Sequence, residues 1–227
     1  MITLIVQNQK GAYNMSTRKQ KLIEYNRSII LDAAKKLFLE KGTDKTSMDE
    51  IAEAAECSKA TIYAYFTSKD DIYYHIVLEY MSTLRDGVRS CLNNISDYER
   101  AYGLLCWTLV RFEKDYPMYF DCILGKICTD KEKIDELPVL QSIFDTSEEI
   151  NWIICKFLER GKLDGFIKPD IDPMQSTFVI WSSLCGLISF CSRKQAYMEN
   201  SLGIVKEEFL RSGFNMILGI VANDKAN

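Results

Sequence analysis

The chain has 227 residues, room for one large or two small domains, and its 47% apolar and 26% charged composition is ordinary for a soluble globular protein. Four prolines and few runs of alternating β-branched residues point to an all-helical chain, and no apolar run reads as long enough to span a bilayer. The net charge of −4 argues against nucleic acid only until it is mapped: residues 16–69 carry 10 Lys+Arg against 8 Asp+Glu, while residues 70–227 carry 17 against 24.

The first residues, MITLIVQNQKGAYN, precede Met15. The apolar run over residues 1–6 is too short for a signal-peptide core. Lys10-Gly11-Ala12 can be encoded by a purine-rich sequence resembling a ribosome-binding site just upstream of the Met15 codon. Met15 is therefore expected to be the natural start, residues 1–14 a translated leader, and residues 1–18 together a disordered leader and basic arm. Arg18, Lys19 and Lys21 concentrate the basic excess there. The first helix is expected over residues 19–41. Ile30, Ala33, Ala34, Leu37 and Phe38 line its inner face, and Gly42 is suited to end it.

Residues 46–71 read TSMDEIAEAAECSKATIYAYFTSKDD. Met48, Ile51, Ala52 and Ala55 recur at i, i+3, i+4 and i+7, one apolar helical face. Ser47 with Glu50 forms a capping box, Ser58 offers a second N-cap, and Ser68 with Asp71 opens a third helix. The middle helix turns Ile62 and Phe66 inward and leaves Lys59, Ala60, Thr61, Tyr63 and Tyr65 to point elsewhere. Short helix, turn, short helix with a polar and aromatic outer face is a helix-turn-helix pattern, whose second helix enters a DNA major groove.

The same residues resemble the N-terminal signature of the TetR family of bacterial one-component transcriptional regulators, approximately T-x-x-x-I-A-x-x-A-G-V-S-K-G-T-[LI]-Y-x-[HY]-F-x-[ST]-K-[DE]-[DE]-L. The chain supplies Thr46 or Ser47, then Ile51, Ala52, Ala55, Ser58, Lys59, Thr61, Ile62, Tyr63, Tyr65, Phe66, Ser68, Lys69, Asp70, Asp71 and Ile72. It departs at Glu56 and Cys57, where the family has Gly-Val, and at Ala60. A left-handed Glu56 would cost roughly 1 kcal/mol. The resemblance implies an all-α fold: a DNA-binding domain over residues 19–67, and a helical ligand-binding and dimerisation domain over 68–227, with 68–92 as the linking helix. It places Lys59, Ala60, Thr61 and Tyr63 at base edges or nearby phosphates, and Thr46, Ser47, Tyr65 and Lys69 at phosphates. For Tyr63 and Tyr65 the competing reading is packing against the first helix.

The next helix is expected to run from Ser68 through Ile72, Ile76 and Leu78 to about Leu92. Residues 98–114 form an apolar helix, Pro117 starts another, and residues 129–137 (TDKEKIDEL) read as a charged connection. Pro138 opens a long segment closing at Gly161, and GKLDGFIKPDIDP has the breakers of a loop. Two last helices are expected over residues 173–194 and 201–221. Their apolar groups spread beyond one stripe, interrupted by small residues, which suits a helix pair that meets its own copy; the alternative is a plain intramolecular core. The resemblance implies a four-helix homodimer interface there. The residues assigned to it are Phe178, Ser182, Gly186, Ser189, Phe209, Gly213 and Ile217.

The resemblance also implies a small-molecule pocket enclosed by the middle helices, for which Cys106, Trp107, Val110, Tyr116, Tyr119, Phe120, Trp152, Cys155, Phe178 and Trp181 are candidates; the alternative for each is plain core. This lining, with the acidic balance of residues 70–227, favours a hydrophobic or cationic ligand. Eight cysteines without a signal peptide suggest a reducing cytoplasm, and with one histidine, His75, and no C-x-x-C pair there is no zinc-site spacing. Buried, inert thiols are expected, with a thiol or metal sensor, through Cys122 and Cys128 if a turn brings them together, as the alternative. No nucleophile elbow, P-loop or dinucleotide fingerprint appears, so neither an enzyme nor a cofactor is expected. The resulting expectation is a dimeric, operator-binding repressor released by a small ligand; the alternatives are a DNA-binding regulator without a ligand and a redox sensor.

Overall fold

The computed structural model describes residues 2–93, 95–125 and 130–223, with residues 2–17 and 124 described by their backbone alone. Among these residues there are ten α-helices: α1 Ile2–Lys41, α2 Met48–Ala54, α3 Lys59–Tyr63, α4 Lys69–Asn93, α5 Tyr98–Asp115, α6 Pro117–Phe120, α7 Lys131–Glu136, α8 Val139–Leu163, α9 Pro173–Leu202 and α10 Lys206–Val221. A 3-10 turn, Asp121–Leu124, extends α6, and an isolated antiparallel bridge joins Ile167 to Ala222. The all-helical expectation holds.

The chain divides into two compact units, Met1–Ile76 and Val77–Asn227. The boundary falls inside α4 and not at the expected 67/68 position, because the start of α4 belongs to the N-terminal core. Ile72 and Ile76 are fully buried. Tyr73 sets its ring edge-on to Phe38 at 6.3 Å, and His75 does the same to Phe66 at 5.4 Å.

Helix α1 begins at Ile2, ahead of the expected start at residue 19, with no proline in residues 1–18 to stop it. The side chains of residues 1–17 lie outside the described residues, so the leader reading rests on the sequence alone. Its inner face is as expected, with Ile30, Ala33, Ala34 and Phe38 buried. It ends at Gly42, whose φ of +83° is the left-handed conformation that favours glycine.

In the C-terminal unit, α9 packs against α5, α8 and α10. One core is built from a stripe of each helix: Tyr102, Leu105 and Leu109 of α5, Ile154 and Leu158 of α8, Leu184 and Ile188 of α9, Leu210 and Phe214 of α10. Each such apolar side chain removed from water contributes about 1.5–3 kcal/mol. Tyr98 lies parallel to Phe157 at 4.0 Å and to Phe166 at 5.6 Å. That layer requires Gly161, where an added Cβ would come within 2.6 Å of Ile167 and 2.7 Å of the Tyr98 ring. Gly161 therefore serves close packing inside α8 and does not end it. The left-handed turn follows at Gly165, with φ +79°.

Other boundaries also move. The charged connection contains α7, capped by Asp130 accepting from the Glu132 N–H. Helix α9 runs on to Leu202, because residues 195–202 hold no breaker, and stops at Gly203 with φ +66°. Helix α10 accordingly starts at Lys206, later than expected. The expectation of no membrane-length apolar run is also corrected: α9 reaches a mean hydropathy of 1.4 over 18 residues. Its Ile180, Trp181, Leu184, Cys185, Ile188 and Cys191 are spent in the core just described.

Candidate nucleic-acid interface

Helix α2 is fixed at its start by its own sequence. Ser47 Oγ accepts from the Glu50 N–H at 3.3 Å, and Glu50 Oε2 accepts from the Ser47 N–H at 2.8 Å, the expected capping box. Lys41 pairs with the same carboxylate and, with the Ser47 N–H, holds its pKa down to about 2. The pair is exposed, so solvent screening leaves it little weight in stability.

Glu56 carries φ +52°, the left-handed conformation expected where the motif has glycine. The Glu56 and Cys57 N–H groups donate to Glu53 and Ala52 oxygens at 3.1 and 3.0 Å, closing α2 in a Schellman arrangement. Ser58 then caps α3, its Oγ accepting from the Thr61 N–H at 3.1 Å.

Five residues of helix cannot stand alone. Ile62 and Phe66 are sunk to 0% and 1% exposure, and α1 grips the end of α3. Asn26 Nδ2 donates to the Tyr65 hydroxyl and Arg27 Nη1 to the Tyr65 carbonyl, each at 2.8 Å, and the Arg27 guanidinium lies 4.3 Å from the Phe66 ring centre. Lys69 Nζ closes the other side, donating to Thr43 and Thr46 oxygens at 2.7 and 3.0 Å.

These partners sort the expected DNA contacts. Lys59, Ala60 and Tyr63 are exposed and Thr61 is half-buried, together on the outer side of α3. Tyr63 is 51% exposed and makes no hydrogen bond among the described residues. Lys59 reaches Asp49 at 2.7 Å, an exposed pair that a phosphate can replace. Ser47 is exposed with its hydroxyl turned to Glu50 at 2.9 Å. Thr46 is corrected: it is 3% exposed and its hydroxyl donates to the Gly42 carbonyl at 2.8 Å, so its side chain stops the loop and does not face outward. Lys69 and Tyr65 likewise hold the unit together, although the Tyr65 side chain remains half-buried. Asn26 and Arg27 went unrecognised in the sequence, because their partner Tyr65 lies 39 and 38 residues away.

His75 reports on this grip. Arg27 Nη2 lies 3.0 Å from His75 Nε2. A guanidinium only donates, so Nε2 accepts and the ring is neutral. Burial and then the Arg27 charge lower the His75 pKa, against a smaller opposing pull from Asp71. The folded pKa is below the unfolded one, so His75 contributes stability fully above the unfolded pKa of about 6.5 that is lost as pH falls through the folded value. We expect thermal stability of the N-terminal unit to fall below about pH 6.5, and His75→Gln to flatten that dependence. Parallel melting curves from pH 7.5 to 5 for both proteins check it; identical slopes would assign the acid sensitivity elsewhere.

In the C-terminal unit, Cys106, Phe120 and Trp181 enter the core, with Trp107, Val110 and Tyr116 packed against it. Tyr119 is buried beside Tyr80, ring centres 4.3 Å apart. Cys155 is buried on α8 with its thiol toward Glu159. Trp152 and Phe178 are corrected as pocket-lining residues: they are 51% and 52% exposed. Of the expected interface residues, Phe178, Ser182 and Gly186 face outward and Ser189 and Phe209 are half-buried. Gly213 is taken up inside the chain, where an added Cβ would come within 2.5 Å of Leu187, and Ile217 is in the core. Val179, Phe190, Met216 and Ile220, each at least 47% exposed, are the apolar outer residues the sequence list omitted. Burial pushes the Cys106 and Cys185 thiols up to about 12, which suppresses the thiolate needed for redox sensing. The proposed partner of Cys122, Cys128, lies outside the described residues.

Comparison with known proteins bears on the family and the fold. The family model described as bacterial regulatory proteins, tetR family, matches residues 30–76. The chain is 25% identical over 162 residues to the uncharacterized HTH-type transcriptional regulator YhgD of Bacillus subtilis, covering 71% of this chain and 82% of that one. It is 24% identical over 204 residues to the HTH-type transcriptional regulator RutR of Escherichia coli, covering 82% and 85%. The structure of the fatty acid degradation regulator FadR from Bacillus halodurans superposes with a TM-score of 0.65 at 19% identity, covering 86% of this chain and 95% of that one.

Proposed function

We propose that this chain, a DNA-binding transcriptional regulator of the TetR family, acts in the bacterial cytoplasm as a homodimeric repressor that a small molecule releases from its operator. The observation that carries the DNA reading is the outer side of α3: Lys59, Ala60, Thr61 and Tyr63 present donors, a methyl and an aromatic ring from a helix anchored by buried Ile62 and held by α1 through the adjoining Tyr65. Such a helix end reads base edges, and the surrounding hydroxyls and cations position it on phosphates.

A second copy is supported by the apolar outer residues of the last two helices. Phe178, Val179, Phe190, Met216 and Ile220 are each 47–71% exposed. Apolar groups at this density on adjoining helices mark an interface. A symmetric pair reads two half-sites about 34 Å apart, one turn of DNA. A ligand that binds one arrangement of the pair better than the other lowers DNA affinity by that difference alone.

Selection of binding sites from random duplex DNA, followed by sedimentation of the protein alone and bound, tests the reading. The expected outcome is a two-fold symmetric site with two protomers bound, and a free dimer at micromolar concentration. A monomer on a single asymmetric half-site would refute the paired reading.

A further inference from the structure

A groove of about 570 Å³ runs between α5 and α10 in the C-terminal unit, with Phe166, from the turn after α8, among its lining residues. The expected lining residues share only Trp107 with it. The Tyr102 hydroxyl donates to the Phe214 carbonyl at 2.9 Å and ties the two helices together there.

Two glycines open the walls. An added Cβ at Gly103 of α5 or Gly219 of α10 would meet nothing within 4 Å. Glycine inside a helix costs stability, and usually a neighbour explains it, as Tyr98 explains Gly161. At Gly103 and Gly219 no neighbour does; the space they leave belongs to the groove.

Chemistry is concentrated at one end. Arg211 lies over the Trp107 ring at 6.0 Å, and Trp107 meets Phe214 edge-on at 5.7 Å. Arg211 makes no ion pair or hydrogen bond among the described residues. Its guanidinium therefore keeps its donors for a planar anion, with aromatic surface alongside for a flat body. The one carboxylate that lines the groove, Glu99, sits eight residues before Trp107 on α5, about 12 Å along the helix axis. That exceeds the screening length of about 10 Å at 0.1 M salt, so Arg211 sets the local preference.

The groove also lies away from the apolar outer face of α10. Arg211, Asn215, Leu218 and Ala222 line it, whereas Met216 and Ile220 lie nearly half a turn round the same helix.

We propose that this groove binds a flat aromatic acid, its carboxylate on Arg211 and its ring between Trp107 and the space beside Gly103 and Gly219. The charge is opposite to the cationic preference inferred from the acidic balance of residues 70–227, because one uncommitted guanidinium at short range outweighs distributed, screened carboxylates.

Calorimetric titration of the full chain with 2-naphthoate tests the proposal without DNA, so its failure is distinct from failure of the operator reading. We expect one saturable site per chain, and binding at least tenfold weaker for 2-naphthylmethylammonium. Arg211→Gln should weaken naphthoate binding at least tenfold, and Gly103→Phe or Gly219→Phe, which fill the groove, should abolish it. No saturable binding by about 10 mM, equal binding of the amine, or full binding by Arg211→Gln and the two glycine variants would each overturn the proposal. Failure of both glycine variants to fold would contradict the open space beside them and overturn it as well.

Discussion

Tyr63→Ala is expected to weaken sequence-specific operator binding by about thirtyfold or more and to leave the chain's fold and association state unchanged. The ring is 51% exposed, makes no hydrogen bond among the described residues, and sits at the last position of α3. Removing it opens no cavity, and alanine is the better helix former. A side chain that reads a base edge contributes about 1–3 kcal/mol, and two copies on a symmetric operator make that about 2–6 kcal/mol. The affinity loss is then about thirtyfold at least and about twenty-thousandfold at most. Anisotropy titration of labelled operator measures it, with circular dichroism and gel filtration as the controls. Operator affinity equal to the parent protein's would remove α3 from the recognition role.

The second large effect is on folding. Phe66→Ala is expected to melt the N-terminal unit selectively, while the C-terminal unit keeps its own transition. Phe66 is 1% exposed, takes the His75 ring edge-on at 5.4 Å and carries the Arg27 guanidinium 4.3 Å from its centre. A buried phenylalanine cut to alanine costs about 3–5 kcal/mol, and the whole net stability of a domain is only about 5–15 kcal/mol. The cut also frees Arg27, which holds the Tyr65 carbonyl, so the grip on α3 fails with the core. A two-step melt, with proteolysis confined to the first 76 residues, is the expected result. One unchanged cooperative transition would show that Phe66 is not the keystone of this unit.

The parts of the DNA-binding unit that were legible in the sequence are those whose partners are local. Ser47 with Glu50 and Ser58 with Thr61 act over three residues, so the starts of α2 and α3 could be read directly. The left-handed Glu56 followed from a glycine position occupied by another residue. What tightens the unit was not legible, since Asn26, Arg27 and Lys69 find their partners 23 to 48 residues away. The same limit governs the C-terminal helices. Periodicity says that α10 has an apolar side wider than one stripe, but not that Ile217 goes inside while Met216 and Ile220 stay out. Helix α9 continues past residue 194 to Gly203, whose left-handed backbone gives the chain an exit.

Glu56 has a consequence for the history open to this protein. Glutamate and glycine codons differ by one transition at the second base, so the relaxed turn is a single mutational step away. Glutamate nonetheless holds a conformation that costs an L-residue roughly 1 kcal/mol, partly offset because glycine would add freedom to the unfolded chain. Substitution there would also erase a negative charge two residues before Ser58, the cap of the helix proposed to read DNA. The turn therefore gives selection a coarse adjustment in one codon: greater thermal tolerance and tighter indiscriminate adhesion to DNA in one direction, a more discriminating and slightly less robust regulator in the other.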